Sequence, residues 1–284
     1  MRNPRNPHQV SRVSLSAEVV DGIVFWTKNP APMLKRLAEL EKYNYYFQFT
    51  LTPYGPETEK NLPSKNEVII PSFRRLSEEL GRERVVWRYD PIFFNEVYTM
   101  DYHLRYFAVL ASKLARYTEK CTVSFIDIYR NTKRNAKQME MRQATAAEQM
   151  ELLGRFAEIA GQYHLRIDTC AEAGAFSGLG IMPAHCIEKE RLERIGKFRL
   201  DVGKDKNQRS ACGCVESIDI GAYNTCKNGC MYCYANYNHT SVDKNFHNHN
   251  PQSPLIFGEI TQEDCVKDRK AKSFADRQIS LFER

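Results

Sequence analysis

The sequence predicts an α/β fold: a parallel (βα) partial TIM-like barrel over residues 1–236, followed by a C-terminal extension and tail over 237–284. Three observations predict it. Short apolar runs alternate with helical patterns at the spacing of βαβ units. Each run turns polar at its C-terminal end, where the chemistry of such barrels sits. A cysteine-rich loop follows the last run in the same sense.

The elements follow in order. Residues 1–18 are polar, rich in proline and asparagine, and read as a loop. Residues 21–30 (Asp-Gly-Ile-Val-Phe-Trp-Thr-Lys-Asn-Pro) are an apolar run closed by Lys28, Asn29 and a proline, the pattern of a buried strand. Leu34, Leu37, Ala38 and Glu41 then take helical spacing. Residues 45–52 make the second strand, and a helix over 73–80 closes at Gly81, a C-cap position. Residues 84–91 (Arg-Val-Val-Trp-Arg-Tyr-Asp-Pro) form the third strand, ending in Arg88 and Asp90. Over 100–114, Leu104, Phe107, Ala108, Ala111 and Leu114 share one stripe of an amphipathic helix. A fourth strand over 121–129 carries Asp127 near its end. Thr145 and Glu148 have the spacing of a capping box, opening a helix to about residue 163. A fifth strand spans 165–170, a helix 187–195, and a sixth strand over 216–221 leads into the cysteine loop. Lys28, Asn29, Arg88, Asp90, Asp127 and Asp168 are therefore expected to ring one mouth, with Lys28, Asn29, Arg88 and Asp90 lining a catalytic site.

At 42% hydrophobic residues the chain can bury a sizeable core. It has no apolar run of about 18 residues, so neither a transmembrane helix nor a membrane partner is expected. The opening Met-Arg-Asn-Pro-Arg-Asn-Pro lacks the apolar stretch of a signal peptide. Nine cysteines without such a signal point to a reducing, cytoplasmic setting, where clustered thiols favour metals over disulfides. A net charge of +6 suits nucleic-acid binding, and equally a mildly basic soluble enzyme.

The chemistry is concentrated in Cys226-Lys-Asn-Gly-Cys230-Met-Tyr-Cys233, which reads C-x3-C-x2-C. Three thiolates on one short loop can hold three irons of a 4Fe-4S cluster and leave the fourth open. An open metal position is reactive, because something other than protein can bind there. A ferredoxin run has a different spacing, and a zinc knuckle usually shows paired C-x2-C. The alternative is zinc, with Cys212 or Cys214 as the fourth ligand.

This spacing resembles the signature of the radical-SAM superfamily. The resemblance implies that the open iron binds S-adenosylmethionine, that Tyr232 lies against the adenine, and that Asn236 belongs to the cofactor site. It further implies a 5′-deoxyadenosyl radical as the reactive species and a flavodoxin or ferredoxin as electron donor. In that superfamily the cluster strand normally comes first; here it comes last, so the implied barrel is circularly permuted. Phe-Trp-Thr-Lys-Asn-Pro, Phe-Gln-Phe-Thr-Leu-Thr and Trp-Arg-Tyr-Asp-Pro-Ile resemble strand ends of the spore-photoproduct-lyase-like branch. Nearly the whole chain also resembles an uncharacterised bacterial domain-of-unknown-function family, whose hallmark is written here from Cys212-Gly-Cys214 through Ser217-Ile-Asp-Ile-Gly to Cys233-Tyr-Ala-Asn236. Members of that family usually carry a further strand and helix before the point where Met1 falls, so an exposed sheet edge is expected.

Cys170, Cys186, Cys212 and Cys214 are four more thiols, fit for a second iron–sulfur cluster, for structural zinc, or for burial without a ligand. Cys121 and Cys265 read as ordinary residues, and His239, His247 and His249 as part of a polar loop. Arg130, Lys133, Arg134, Lys137 and Arg142 make a basic segment that suits either phosphate contact or a solvated helix face. Gln278-Ile279-Ser280-Leu281-Phe282 resembles the bacterial sliding-clamp-binding pentapeptide; the alternative is a tail folded onto its own domain. Together these point to a radical-SAM enzyme acting on nucleic acid, in DNA repair or base modification. A peptide or small-molecule substrate, or a non-catalytic metal-stabilised binding protein, are the competing readings.

Overall fold

The computed structural model describes residues 1–172 and 176–276. In chain order its strands and α-helices are β1 (Gln9–Arg12), β2 (Ile23–Thr27), α1 (Ala31–Leu34), β3 (Tyr45–Thr50), α2 (Ile70–Leu80), β4 (Val85–Ile92), α3 (Met100–Leu114), β5 (Lys120–Phe125), α4 (Lys133–Gln138), α5 (Ala146–Gln162), β6 (Arg166–Thr169), β7 (Met182–Pro183), α6 (Lys189–Gly196), β8 (Arg199–Leu200), α7 (His239–His247), β9 (Cys265–Asp268) and β10 (Ala275–Asp276).

Strands β2 to β7 form one six-stranded sheet in sequence order, every neighbouring pair parallel. The sheet is open, with β2 and β7 at its edges. The expected parallel α/β architecture is therefore present, and the sheet does not close on itself. Its two faces differ because side chains alternate along each strand. Phe47, Phe49, Val85, Trp87, Tyr89, Cys121 and Val123 face α2, α3 and α5 in the main apolar core. Trp87 of β4, Phe107 of α3 and Phe156 of α5 stack in series, with ring centroids 5.2 and 3.8 Å apart. On the other face the same strands present Tyr46 and Val86 to Leu192 and Leu200, beside the polar Gln48, Arg88 and Asp168.

Local rules account for the helix ends. Thr145 caps α5 with both halves of the capping box formed, and Gly81 ends α2 at φ 94°. The stripe of α3 differs by one position from the expected one. His103 and Leu110 are buried, while Leu104 and Ala108 are only partly so.

Four expectations are corrected. Residues 216–221 are not a strand: the Asp219 carboxylate accepts from Gly221 N at 2.8 Å, a local turn that competes with sheet pairing, and the sixth strand is β7. Part of the N-terminal loop is strand β1, paired in parallel with β9 from the charged tail. Residues 239–247 are helix α7, because the Asn238 side chain accepts from Ser241 N and caps it. Trp26, in the run over 21–30 that has the pattern of a buried strand, is half exposed. The Gln278–Phe282 motif lies outside the described residues. No helix among those described is long and apolar enough to cross a membrane.

Candidate functional site

Because all six strands run the same way, their C-terminal ends share one edge of the sheet. Just beyond that edge lie Tyr54 after β3, Phe93 after β4 and Ile126 after β5. They are buried in one cluster with Cys230, Met231 and Tyr232. The cysteine loop thus docks on the ends of three neighbouring strands, although no strand leads into it. Backbone bonds hold it there. Met231 N donates to Thr58 O at 2.9 Å, and Asn61 N donates to Asn228 O at 3.1 Å. From the other side, the Asn135 amide of α4 donates to Met231 O at 2.8 Å. Gly229 turns the loop at φ 66°, a conformation that disfavours other residues.

Beneath the loop sits Glu59, 2% exposed. Its Oε1 accepts from Lys28 Nζ at 2.8 Å, from Thr52 Oγ1 at 2.9 Å and from the Tyr232 hydroxyl. Its Oε2 lies 2.6 Å from Lys65 Nζ. Burial alone would push the Glu59 carboxyl up. Lys28 and Lys65 overcome it and hold the group at about 2, so it stays ionised. Lys28 also lies 5.3 Å from the centre of the Tyr232 ring. Two ammoniums and one carboxylate leave one net positive charge under the three thiols.

The thiols differ in exposure: Cys230 is buried, Cys233 half-buried and Cys226 exposed. Burial pushes Cys230 up to about 12, against the pull of Lys28. Asn236 closes the loop, its side chain donating to Cys226 O at 2.5 Å. Tyr232 is not free: its ring packs 5.8 Å from Tyr54 and its hydroxyl is committed to Glu59.

The second cysteine set comes together on the other face of the sheet. Cys186, Cys212 and Cys214 form a buried cluster with Cys170 packed against it. Cys170 Sγ lies 3.2 Å from Cys186 Sγ. Arg88, 4% exposed, reaches Cys186 Sγ with Nη1 at 2.8 Å and Asp90 Oδ2 with Nη2 at 2.6 Å. Tyr46 and Gln48 both donate to Cys186 O, at 2.6 and 2.8 Å, and Ile187 N donates to Cys214 Sγ at 3.3 Å. A Cβ at Gly213 would lie 2.3 Å from the His185 ring, so only glycine lets that turn approach.

The six polar strand ends therefore do not form one ring. Lys28 belongs to the cysteine loop. Asn29 accepts from Ala31 N at 3.1 Å in a turn that opens α1. Arg88 and Asp90 serve the second set. Asp127 pairs with Arg209 at 2.7 Å, and Asp168 with Lys120 at 2.6 Å. Sequence reasoning missed Glu59, Lys65 and Thr52. They lie in or beside a polar connection between β3 and α2 whose composition looks like a solvated loop. Among the described residues no group of three or more His, Cys, Asp or Glu side chains is arranged to hold a metal ion. The donor chemistry of the loop still fits an iron–sulfur cluster: three thiols on one short loop, with Lys28 opposing the upward push of burial on Cys230.

One family profile, described as a domain of unknown function (DUF1848), matches residues 1–235. The chain belongs to that family. The matched span of this DUF1848 chain includes both cysteine sets and stops before α7 and β9. No curated protein and no solved structure matches it.

Proposed function

We propose that this DUF1848 chain is a radical-SAM-type iron–sulfur enzyme on a permuted partial barrel, acting on nucleic acid. One observation carries the reading. The C-x3-C-x2-C loop sits at the C-terminal ends of parallel strands, the catalytic end of such sheets, over a buried charged group rather than on an outlying surface. Cys226, Cys230 and Cys233 would hold a 4Fe-4S cluster. When bound there it supplies the one-electron reduction of S-adenosylmethionine.

The chain's own residues have simpler tasks. Glu59 fixes Lys28, Lys65 and Tyr232, and so fixes the floor on which the loop rests. Lys28 places positive charge beside Cys230 and favours its thiolate. Asn131 and Asn135 anchor the basic α4 segment to the loop through Tyr234 O and Met231 O. The nucleic-acid part rests on what surrounds the loop. Tyr129, Tyr223, Tyr234 and Tyr237 are exposed there, with Tyr129 and Tyr234 5.2 Å apart, and α4 adds Lys133, Arg134 and Lys137. Exposed rings beside cations suit stacking on unpaired bases.

Electron paramagnetic resonance of anaerobically prepared, reduced protein tests the reading. A 4Fe-4S signal that shifts on adding S-adenosylmethionine is expected. No cluster, with zinc at Cys226, Cys230 and Cys233, would refute it and favour a metal-stabilised binding protein. Failure to bind single-stranded DNA at low salt would move the substrate to a peptide or small molecule.

A further inference from the structure

We infer that Cys170, Cys186, Cys212 and Cys214 form a closed, mononuclear tetrathiolate metal site, of the kind that takes zinc, in the face of the sheet opposite α2, α3 and α5. This inference does not rest on the radical-SAM reading and concerns different residues.

Four thiols from three separate chain segments meet in one buried place. The end of β6 gives Cys170, the segment before α6 gives Cys186, and the turn over 212–214 gives the other two. Burying four unliganded thiols together has no packing advantage over apolar side chains, whereas a metal satisfies all four. The distance between two of the sulfurs fits thiols that share one metal atom. Tetrahedral Zn–S bonds of about 2.3 Å put sulfurs roughly 3.8 Å apart. Cys170 Sγ and Cys186 Sγ are 3.2 Å apart, close to that edge. A cubane binds each thiolate to a different iron, which spreads the sulfurs by an iron–iron edge plus two outward bonds. Two sulfurs at 3.2 Å do not span that. They are also well beyond the roughly 2.05 Å of a disulfide.

The surroundings fit the charge. Four thiolates around a divalent ion carry two net negative charges. Arg88 Nη1 already lies 2.8 Å from Cys186 Sγ, and Ile187 N donates to Cys214 Sγ. Cation and N–H contacts to ligand sulfurs are the outer-shell support that such sites use. Cys214 touches both Cys186 and Cys212, and Cys186 touches Cys170, so the four sulfurs already adjoin in sequence, and a bound ion would draw them around itself. All four positions are then filled by protein, so the site is structural and joins β6 to the segments on either side of α6.

The test uses the full chain with Cys226→Ser, Cys230→Ser and Cys233→Ser, purified in air from zinc-supplemented medium, so that the other loop contributes no metal. Elemental analysis is expected to give one zinc per chain. Replacement by cobalt is expected to give the intense visible absorption of tetrahedral thiolate coordination. Adding Cys186→Ser should abolish both. If that protein does not fold, zinc released from the parent triple variant by a thiol-reactive mercurial, titrated against thiols consumed, gives the same stoichiometry: one zinc for the four cysteines that react besides Cys121 and Cys265. Iron and sulfide bound by the triple variant after anaerobic reconstitution, in place of zinc, would overturn the inference. So would metal-free protein with all six remaining thiols free, or with a Cys170–Cys186 disulfide by mass.

Discussion

Replacing Glu59 with glutamine tests whether the floor of the cysteine loop is an electrostatic unit. Glu59 holds two ammoniums at 2.8 and 2.6 Å with its side chain 1% exposed; Lys28 and Lys65 are 12% and 22% exposed. With an effective dielectric of about 20, each contact has a gross attraction of roughly 6 kcal/mol, much of it offset by desolvation of the three groups. Glu59→Gln keeps the shape and removes the charge, leaving two largely buried cations without a counter-ion. The expected loss is about 3–5 kcal/mol. Urea unfolding followed by circular dichroism reads it as a lower midpoint at unchanged slope. Adding Lys65→Met removes one orphaned cation, and the double variant should regain about 1–2 kcal/mol relative to Glu59→Gln. The sign with pH follows from the carboxyl's lowered value. The contribution of Glu59 is present above its unfolded value of 4.5 and is lost as pH falls toward about 2. A Glu59→Gln protein within about 1 kcal/mol of wild type, with no coupling to Lys65, would refute the reasoning.

Tyr232→Phe removes the hydroxyl bond to Glu59 and keeps the ring against Tyr54; a loss of about 1.5–3 kcal/mol is expected, and an unchanged urea midpoint would contradict it. Phe156→Ala empties one end of the Trp87–Phe107–Phe156 stack and should cost about 3–5 kcal/mol, read in the same denaturation; a loss under about 1 kcal/mol would mean that the stack is not a unit of the core. His103 is fully buried, with Nε2 at 3.0 Å from Phe93 O and Nδ1 at 2.9 Å from the Tyr89 hydroxyl, and burial lowers it to about 4. Below 6.5 the unfolded chain takes up a proton that the folded one refuses, so stability should fall by up to about 3 kcal/mol between pH 6.5 and 4. An NMR titration that finds His103 ionising near 6.5 would contradict this.

Periodicity carried the sheet: the runs around Phe47 and Trp87 are strands within a residue or two of their expected bounds, and the run around Val123 is a strand that ends at Phe125, four residues short of its expected end. The capping chemistry of Thr145 and Gly81 was equally local and equally legible. Residues 216–221 misled because Ile218 and Ile220 alternate with polar side chains as a strand does, while the Asp219 turn satisfies the backbone locally. The C-x3-C-x2-C spacing marked the cysteine loop, and the four other cysteines were countable, but nothing in their separations showed that they meet. Glu59 was illegible for the opposite reason. A carboxylate between polar neighbours looks solvated until the loop from residues 226–233 folds over it. Arg88 and Asp90 were rightly placed on a strand end, yet the sheet directs them to the second cysteine set.

The pairing of β1 with β9 has a consequence for the order of events during synthesis. Gln9 is aligned with Cys265 and Arg12 with Asp268, and Arg2 reaches Asp264 at 2.5 Å. Until β9 has been made, β1 is paired only with the segment over 1–3, through the Arg2–Val10 bridge, and its other edge has no partner. At a synthesis rate of about 5–20 residues per second, that leaves this segment waiting roughly 13–50 s, while the strands from β2 to β6 can already assemble behind it. During that interval its backbone is an unmatched edge, available to any other extended strand in the vicinity. Closing β1 against β9 is thus a long-range step that follows synthesis of the whole six-stranded sheet.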